Sequence, residues 1–180
     1  NVPGQRQSGG EAIHVRGRAV DRCWDTSAGG PDVAFFDALV AAVEARFCAD
    51  PERRWVTGYS GGSFMAHRLA CERGDQIRGV ATIAGGMPGR DCVGRVATLL
   101  THDQDDETVA ITQSERARDA HLERNGCGTE RVATEPSPCE AYQGCDEGFP
   151  VVWCETRGMG HARQDDFAAP AFWDFLAALR

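Results

Sequence analysis

The stretch Trp55-Val56-Thr57-Gly58-Tyr59-Ser60-Gly61-Gly62-Ser63-Phe64-Met65 joins a short apolar run to a helical pattern through a glycine-rich turn. Trp55–Thr57 predicts a strand, and Ser63–Glu72 predicts a helix with Phe64, Met65, Leu69 and Ala70 on its buried side. Between them stands Gly58-x-Ser60-x-Gly62. The bare pattern is common by chance, but between a strand and a helix it has a mechanical meaning. A sharp turn there pushes the serine hydroxyl clear of the sheet, and small flanking residues let the two backbones approach. Gly58, Gly61 and Gly62 meet that demand. No Gly-Lys-Ser/Thr ending follows, so a phosphate-binding loop is disfavoured.

Outward from this turn, strands and helices alternate. Upstream, Glu11–Val15 predicts a short strand, and Cys23–Gly30 a loop. Pro31 and Asp32 open a helix whose stripe Val33, Phe36, Val40, Val43, Phe47 steps by 3 and 4, the mark of a face packed on a core; Pro51 stops it. Downstream, Ile77–Ala84, Val96–Thr101 and Phe149–Glu155 predict strands. Ile77–Ala84 is nearly all apolar, as a strand covered on both faces requires. Thr108–Asn125 predicts a helix ended by Gly126, Thr129–Gly148 a loop pinned by cysteines, and Pro170–Arg180 a closing helix. The expectation is one α/β domain over residues 1–180, with a mainly parallel sheet, helices on both faces, and chemistry at the carboxyl ends of the strands.

A serine needs a base to take its proton, and the base needs a carboxylate to hold its tautomer. Of the five histidines, His14 falls in a predicted strand, and His67 and His121 fall in helices. His102 and His161 follow strands, and His161 lies in the Gly-rich loop after the last one, which makes it the candidate base. The loop after Val96–Thr101 offers Asp103, Asp105, Asp106 and Glu107 as acids, most of them expected to be solvated surface charges. Spacing alone does not choose among them.

The net charge of −8, with 19 basic side chains, all Arg, against 27 acidic, disfavours nucleic acid or an anionic membrane as a partner, since both need a basic face. No apolar run approaches the ~20 residues of a membrane span. The polar stretch Asn1–Gly10 carries no leader pattern, so a mature or trimmed form is expected. Eight cysteines without a CxxC pair point to disulfides and an oxidising, extracellular compartment rather than to a metal or redox centre. No cofactor is expected.

Several landmarks then bring a family into view: Asp32-Val33-x-Phe35-Phe36, Cys48-x-Asp50, Gly58-Tyr59-Ser60-Gly61-Gly62, Arg68-Leu69-Ala70-Cys71-Glu72, Ile83-Ala84-Gly85-Gly86, His102-Asp103-Gln104-Asp105-Asp106, Asn125-Gly126-Cys127 and Gly158-Met159-Gly160-His161. Over most of Ala12–Arg180 the chain resembles the extracellular esterases that include feruloyl esterases and polyhydroxybutyrate depolymerases, within the α/β-hydrolase fold. The family's acid motif resembles His-Gly-x-x-Asp; with its His on His102, the resemblance implies Asp106 as the acid and His102 as a structural residue. It implies a triad of Ser60, Asp106 and His161, the backbone N–H of Gly61 as an oxyanion donor, and substrates such as feruloyl or acetyl esters of plant polysaccharide or short polyester. Trp24, expected near the site mouth, and Tyr59 are candidates for substrate contact. A packing Trp and a non-catalytic binding module are the competing expectations.

Two departures matter. Ala162-Arg163-Gln164 replaces the Thr/Asn-Trp-Pro that usually follows the family's base. The family also carries an upstream strand ending in His-Gly, whose loop gives a second oxyanion N–H, whereas Glu11–Val15 resembles the strand after it. The resemblance thus implies a gap in the sheet beside the Trp55–Thr57 strand, to be filled by a separate N-terminal polypeptide or an upstream segment. Placement in this fold makes 71–92 a plausible disulfide, with Cys139–Cys145 and Cys127–Cys154 as further pairs and Cys23 and Cys48 as partners for the missing segment.

Overall fold

The computed structural model describes residues 4–87, 89 and 91–179. Helix α1 spans Pro31–Glu44, strand β1 Trp55–Tyr59, α2 Gly61–Glu72, β2 Gly79–Ile83, β3 Ala97–Asp103, α3 Thr112–Arg124, β4 Arg131–Ala133, β5 Cys139–Tyr142, β6 Val151–Thr156 and α4 Asp165–Ala177. The strands form one sheet in the order β1-β2-β3-β6-β5-β4. β1, β2, β3 and β6 run parallel, and β5 and β4 extend the sheet antiparallel.

Both faces are covered, and side-chain alternation assigns the covers. Ala81, Ile83, Ala97, Leu99, Val152 and Cys154 pack under α4 through Ala168, Ala171, Phe172 and Leu176. On the other face, Val80 and Val96 meet Met65, Ala66, Leu69 and Ala70 of α2, while Leu100, Val151 and Trp153 meet Ala117 of α3. This is why Ile77–Ala84 reads as nearly all apolar: neither face of β2 sees water. The parallel strands bring the chain after Tyr59, Ile83, Asp103 and Thr156 to one end of the sheet.

The structure corrects several expectations. Glu11–Val15 forms no strand. A strand needs a ladder partner for its N–H and C=O groups. Here a trough of about 680 Å³ separates this segment from β1, lined by Ile13, Val15, Phe36, Val40, Trp55 and Val56 among others. The helical stripe of α1 faces the same trough, so of its five members only Val33 is buried; Phe47 lies past the helix end and is 54% exposed. β1 is the end strand, and among the described residues nothing pairs with its outer edge. The segment Thr129–Gly148 is a hairpin, β4–β5, rather than a loop. α3 starts at Thr112, not Thr108, because the Asp106 carboxylate captures the N–H groups of Thr108 and Val109. α4 starts at Asp165 with Pro170 inside it; burial of Ala168, Ala169, Ala171 and Phe172 outweighs the one hydrogen bond that Pro170 cannot donate. Arg180, the expected end of that helix, lies outside the described residues.

The disulfides are Cys71–Cys92, Cys127–Cys145 and Cys139–Cys154. The first pair matches expectation, and the other two exchange partners. The hairpin is the reason: β5 pairs with β6 in a register that sets Cys139 directly opposite Cys154. Cys23 and Cys48 are free thiols, both exposed.

Candidate active site

Ser60 sits between β1 and α2 with φ 53° and ψ −120°, a conformation that costs an L-residue free energy. The surroundings enforce it. The Ser60 N–H donates to the Ile83 carbonyl at 2.9 Å, and its own carbonyl accepts from Ser63 N–H at 2.8 Å. Strand and helix nearly touch: a Cβ on Gly58 would stand 2.1 Å from the Gly62 carbonyl oxygen. Ala84, at the end of the neighbouring strand, also has positive φ (53°), and a Cβ on Gly85 would strike Ser63 Oγ at 2.3 Å. Gly58 and Gly85 are thus steric requirements of the site, whereas a Cβ on Gly61 or Gly62 would meet nothing within 4 Å, so close approach does not require those two, contrary to expectation. α2 begins at Gly61, so the Gly61 N–H is one of the first N–H groups of a helix, which have no acceptor within it.

His161 follows β6 in the loop Gly158-Met159-Gly160. Its Nε2 lies 2.9 Å from Ser60 Oγ, and its Nδ1 donates to Asp106 Oδ2 at 2.7 Å. With Nδ1 protonated toward the carboxylate, a neutral imidazole presents its Nε2 lone pair to the Ser60 O–H. The Asp106 side chain is fully buried, whereas the His161 side chain keeps 18% of its surface exposed. Burial alone would raise the Asp106 pKa. The N–H groups of Val109 and Thr108 on Oδ1 and the His161 imidazole on Oδ2 outweigh it, so the carboxyl stays below its ordinary range.

Tyr59 packs against His161. Its hydroxyl donates to the His161 carbonyl at 2.9 Å, and its ring lies 5.1 Å from the imidazole. The fold therefore brings Ser60, Gly61, Tyr59, Asp106 and His161 into one cluster. Trp24 makes no hydrogen bond to this cluster: it packs against the core cluster of Val33, Met65 and Val80, its ring lies close to Gly17, and it lines, with Tyr59, the trough beside β1.

The other histidines have other work. His102 is fully buried; its Nε2 donates to the Val109 carbonyl at 2.9 Å, and its Nδ1 stands 2.6 Å from Ser114 Oγ. It thereby braces the turn that carries Asp106. Burial lowers its pKa. His67 and His121 form a buried pair, Nδ1 to Nε2 at 3.2 Å, with Thr82 Oγ1 3.2 Å from His67 Nε2. His14 faces Ser8 Oγ at 2.9 Å. Among the described residues no group of three or more His, Cys, Asp or Glu is placed to hold a metal ion.

Of the four candidate acids, Asp105 and Glu107 are exposed, but Asp103 and Asp106 are buried. Two contributions were not expected from the sequence: the hydrogen bond of Tyr59 to His161, and a second buried carboxylate in the acid loop. For the second, the pair Gly158 and Gly160 was the available signal. Both have positive φ, 73° and 58°, which turns successive N–H groups inward, a local arrangement that takes an anion.

No protein-family model matches the chain. It is 31% identical over 180 residues to feruloyl esterase D of Neurospora crassa, an alignment covering 92% of this chain and 61% of that enzyme. It is 30% identical over 187 residues to a probable feruloyl esterase C of Aspergillus terreus, covering 93% and 65% respectively. The chain thus spans a little under two thirds of the length of these relatives. Among solved structures, the acetyl xylan esterase from Aspergillus awamori superposes with a TM-score of 0.67 at 15% identity, over 88% of this chain and 74% of that one. Esterase PE8 gives 0.58 at 18% identity, over 82% and 60%. The chain has the α/β-hydrolase fold, and the relatives it matches over most of its length include feruloyl esterases.

Proposed function

We propose that this chain is the catalytic core of a secreted serine carboxylesterase. The carrying observation is the relay Ser60 Oγ–His161 Nε2 (2.9 Å) and His161 Nδ1–Asp106 Oδ2 (2.7 Å), mounted on a strained serine at the start of a helix. In this reading the Ser60 proton passes to His161 Nε2 as Oγ attacks the ester carbonyl carbon. The carbonyl oxygen becomes an oxyanion facing the Gly61 N–H. The carbon–oxygen bond to the alcohol then breaks, and His161 returns the proton to the departing alkoxide. Water repeats the sequence on the acyl-enzyme and releases the acid. Asp106 holds the tautomer and stabilises the imidazolium.

The printed activities of the relatives, feruloyl esterases and an acetyl xylan esterase, support feruloyl or acetyl esters of plant polysaccharide as substrates. Short polyhydroxyalkanoate esters remain a further class to assay. Tyr59 and Trp24 both line the trough beside β1 and are candidate aromatic surfaces for such an acyl group. Three disulfides support an oxidising compartment. The open outer edge of β1 supports a role for one more strand, from another polypeptide or an upstream segment, that would bring a second oxyanion donor. Loss of one such donor costs ~10²–10³ in rate, so the chain by itself is expected to be a slow enzyme.

The test is a panel of methyl ferulate, p-nitrophenyl acetate and a hydroxybutyrate ester, run with wild type and Ser60→Ala. Hydrolysis of at least one ester that disappears in Ser60→Ala supports the reading. A folded wild type whose rates equal those of Ser60→Ala on every ester overturns it.

A further inference from the structure

Asp103 is the last residue of β3, in register with Thr156 at the end of β6. Only 1% of it is exposed. Its carboxylate touches none of Ser60, Asp106 or His161, yet it is fully engaged. Oδ1 accepts from the N–H of Asp105 and of Gly160, both at 3.0 Å. Oδ2 accepts from Met159 N–H at 3.0 Å and from Thr156 Oγ1 at 2.9 Å. One turn further on, Asp105 Oδ2 accepts from Gly158 N–H at 2.8 Å. Three consecutive N–H groups, those of Gly158, Met159 and Gly160, therefore end on two carboxylates of the acid loop, and His161 is the next residue.

The consequence is geometric. The acid loop leaves β3 and the base loop leaves β6; the backbone ladder holds the two strands together as far as Asp103 and Thr156, with the Gln104 N–H on the Thr156 carbonyl at 2.9 Å, and beyond that point side-chain bonds tie the loops to each other. The His161–Asp106 bond is one such link, but it can hold only the ring. The Asp103 bonds hold the backbone from which the ring hangs. On the far side of His161 the Tyr59 hydroxyl takes the His161 carbonyl. The base is gripped before and after its Cα, and only the grip before it depends on a charge. Burial works against that charge, and four donors to one carboxylate more than offset it, holding the group ionised at neutral pH.

We propose that Asp103 is a positioning residue of the site, clamping the Gly158–Gly160 backbone so that His161 Nε2 stays within reach of Ser60 Oγ. This rests on the triad reading above. Asparagine at this position keeps one acceptor oxygen for Asp105 and Gly160 but turns an NH₂ group onto the Met159 N–H. Donor then faces donor, and the loop must shift. A misplacement of about 1 Å in a reacting group costs roughly 10²-fold in rate.

The experiment compares wild type, Ser60→Ala, Asp103→Asn, Asp103→Ser, His161→Ala and the double variant Asp103→Asn/His161→Ala on p-nitrophenyl acetate, with a thermal melt of each. The expected result is a kcat for Asp103→Asn and Asp103→Ser reduced by roughly 10- to 100-fold, with KM within about threefold of wild type. In the His161→Ala background, Asp103→Asn should cost nothing further, because the residue acts only through the base. The proposal is overturned by kcat within threefold of wild type, by an equal loss in the His161→Ala background, or by failure of both Asp103 variants to fold cooperatively, which would make the residue a folding determinant. If Ser60→Ala retains the wild-type rate, the triad reading itself fails, an outcome distinct from all three.

Discussion

Replacing Asp106 by asparagine tests the hydrogen-bond logic of the site more sharply than deleting the carboxylate. The Oδ1 atom accepts two backbone N–H groups, from Thr108 at 2.8 Å and Val109 at 2.9 Å. An amide must keep its oxygen there, since the reverse orientation would set two donors against an NH₂ group. The NH₂ is therefore forced toward His161 Nδ1. That nitrogen must become an acceptor, so the proton moves to Nε2, which points at Ser60 Oγ and can no longer accept. The side chain is fully buried, so water cannot substitute for the lost acceptor. An Asp→Asn change in a Ser-His-Asp triad that leaves the geometry intact lowers kcat by roughly 10⁴, or about 5.5 kcal/mol of transition-state stabilisation. The assay is initial rates on p-nitrophenyl acetate, with circular dichroism to confirm the fold. Glu107→Gln, at an exposed position of the same loop, is the control and should leave kcat unchanged. A folded Asp106→Asn variant with kcat within tenfold of wild type would refute the reasoning.

Other outcomes follow from the packing. Gly58→Ala drives a Cβ to within 2.1 Å of the Gly62 carbonyl oxygen, backbone against backbone, and should cost about 3 kcal/mol or more of stability, read from urea unfolding. Removing the Cys139–Cys154 bridge by a double Cys→Ala change should lower stability by about 2–5 kcal/mol, with the melting temperature as readout. Burial pushes the His67 imidazole down to about 4 from 6.5, so the unfolded chain takes up a proton in this window that the folded chain refuses. Stability from this group is fully present above pH 6.5 and falls toward pH 4; His67→Gln should reduce that slope in denaturation curves taken across the window, and the buried His121, also held well below its ordinary range by burial, supplies the remainder.

The parts of this protein that were legible in its sequence are those set by local sterics and by two-sided burial. Gly58-x-Ser60-x-Gly62 marks the turn because no larger residue fits at Gly58, against the Gly62 carbonyl, and the mostly apolar run of β2 marks a strand covered on both faces. The illegible parts depend on long-range neighbours. The stripe of α1 has the period of a packed helix but looks into a trough, because periodicity records which face is apolar and not what lies opposite. Glu11–Val15 has strand chemistry and no ladder partner. The cysteine pairing of the hairpin waited on the register of β5 against β6. The acid loop shows the same limit at the site: Asp103 and Asp106 are both carboxylates three residues apart, which spacing does not separate; the family resemblance singled out Asp106, but the part played by Asp103 waited on the three-dimensional positions of Met159 and Gly160.

The central claim is that Ser60 is a nucleophile activated by His161. The most direct measurement is covalent labelling with a fluorophosphonate probe, followed by mass spectrometry of the peptide that carries the adduct. The account predicts one adduct, on Ser60, lost in Ser60→Ala and strongly slowed in His161→Ala. A folded wild-type protein that takes no label, or a Ser60→Ala variant that labels as fast as wild type, would contradict it.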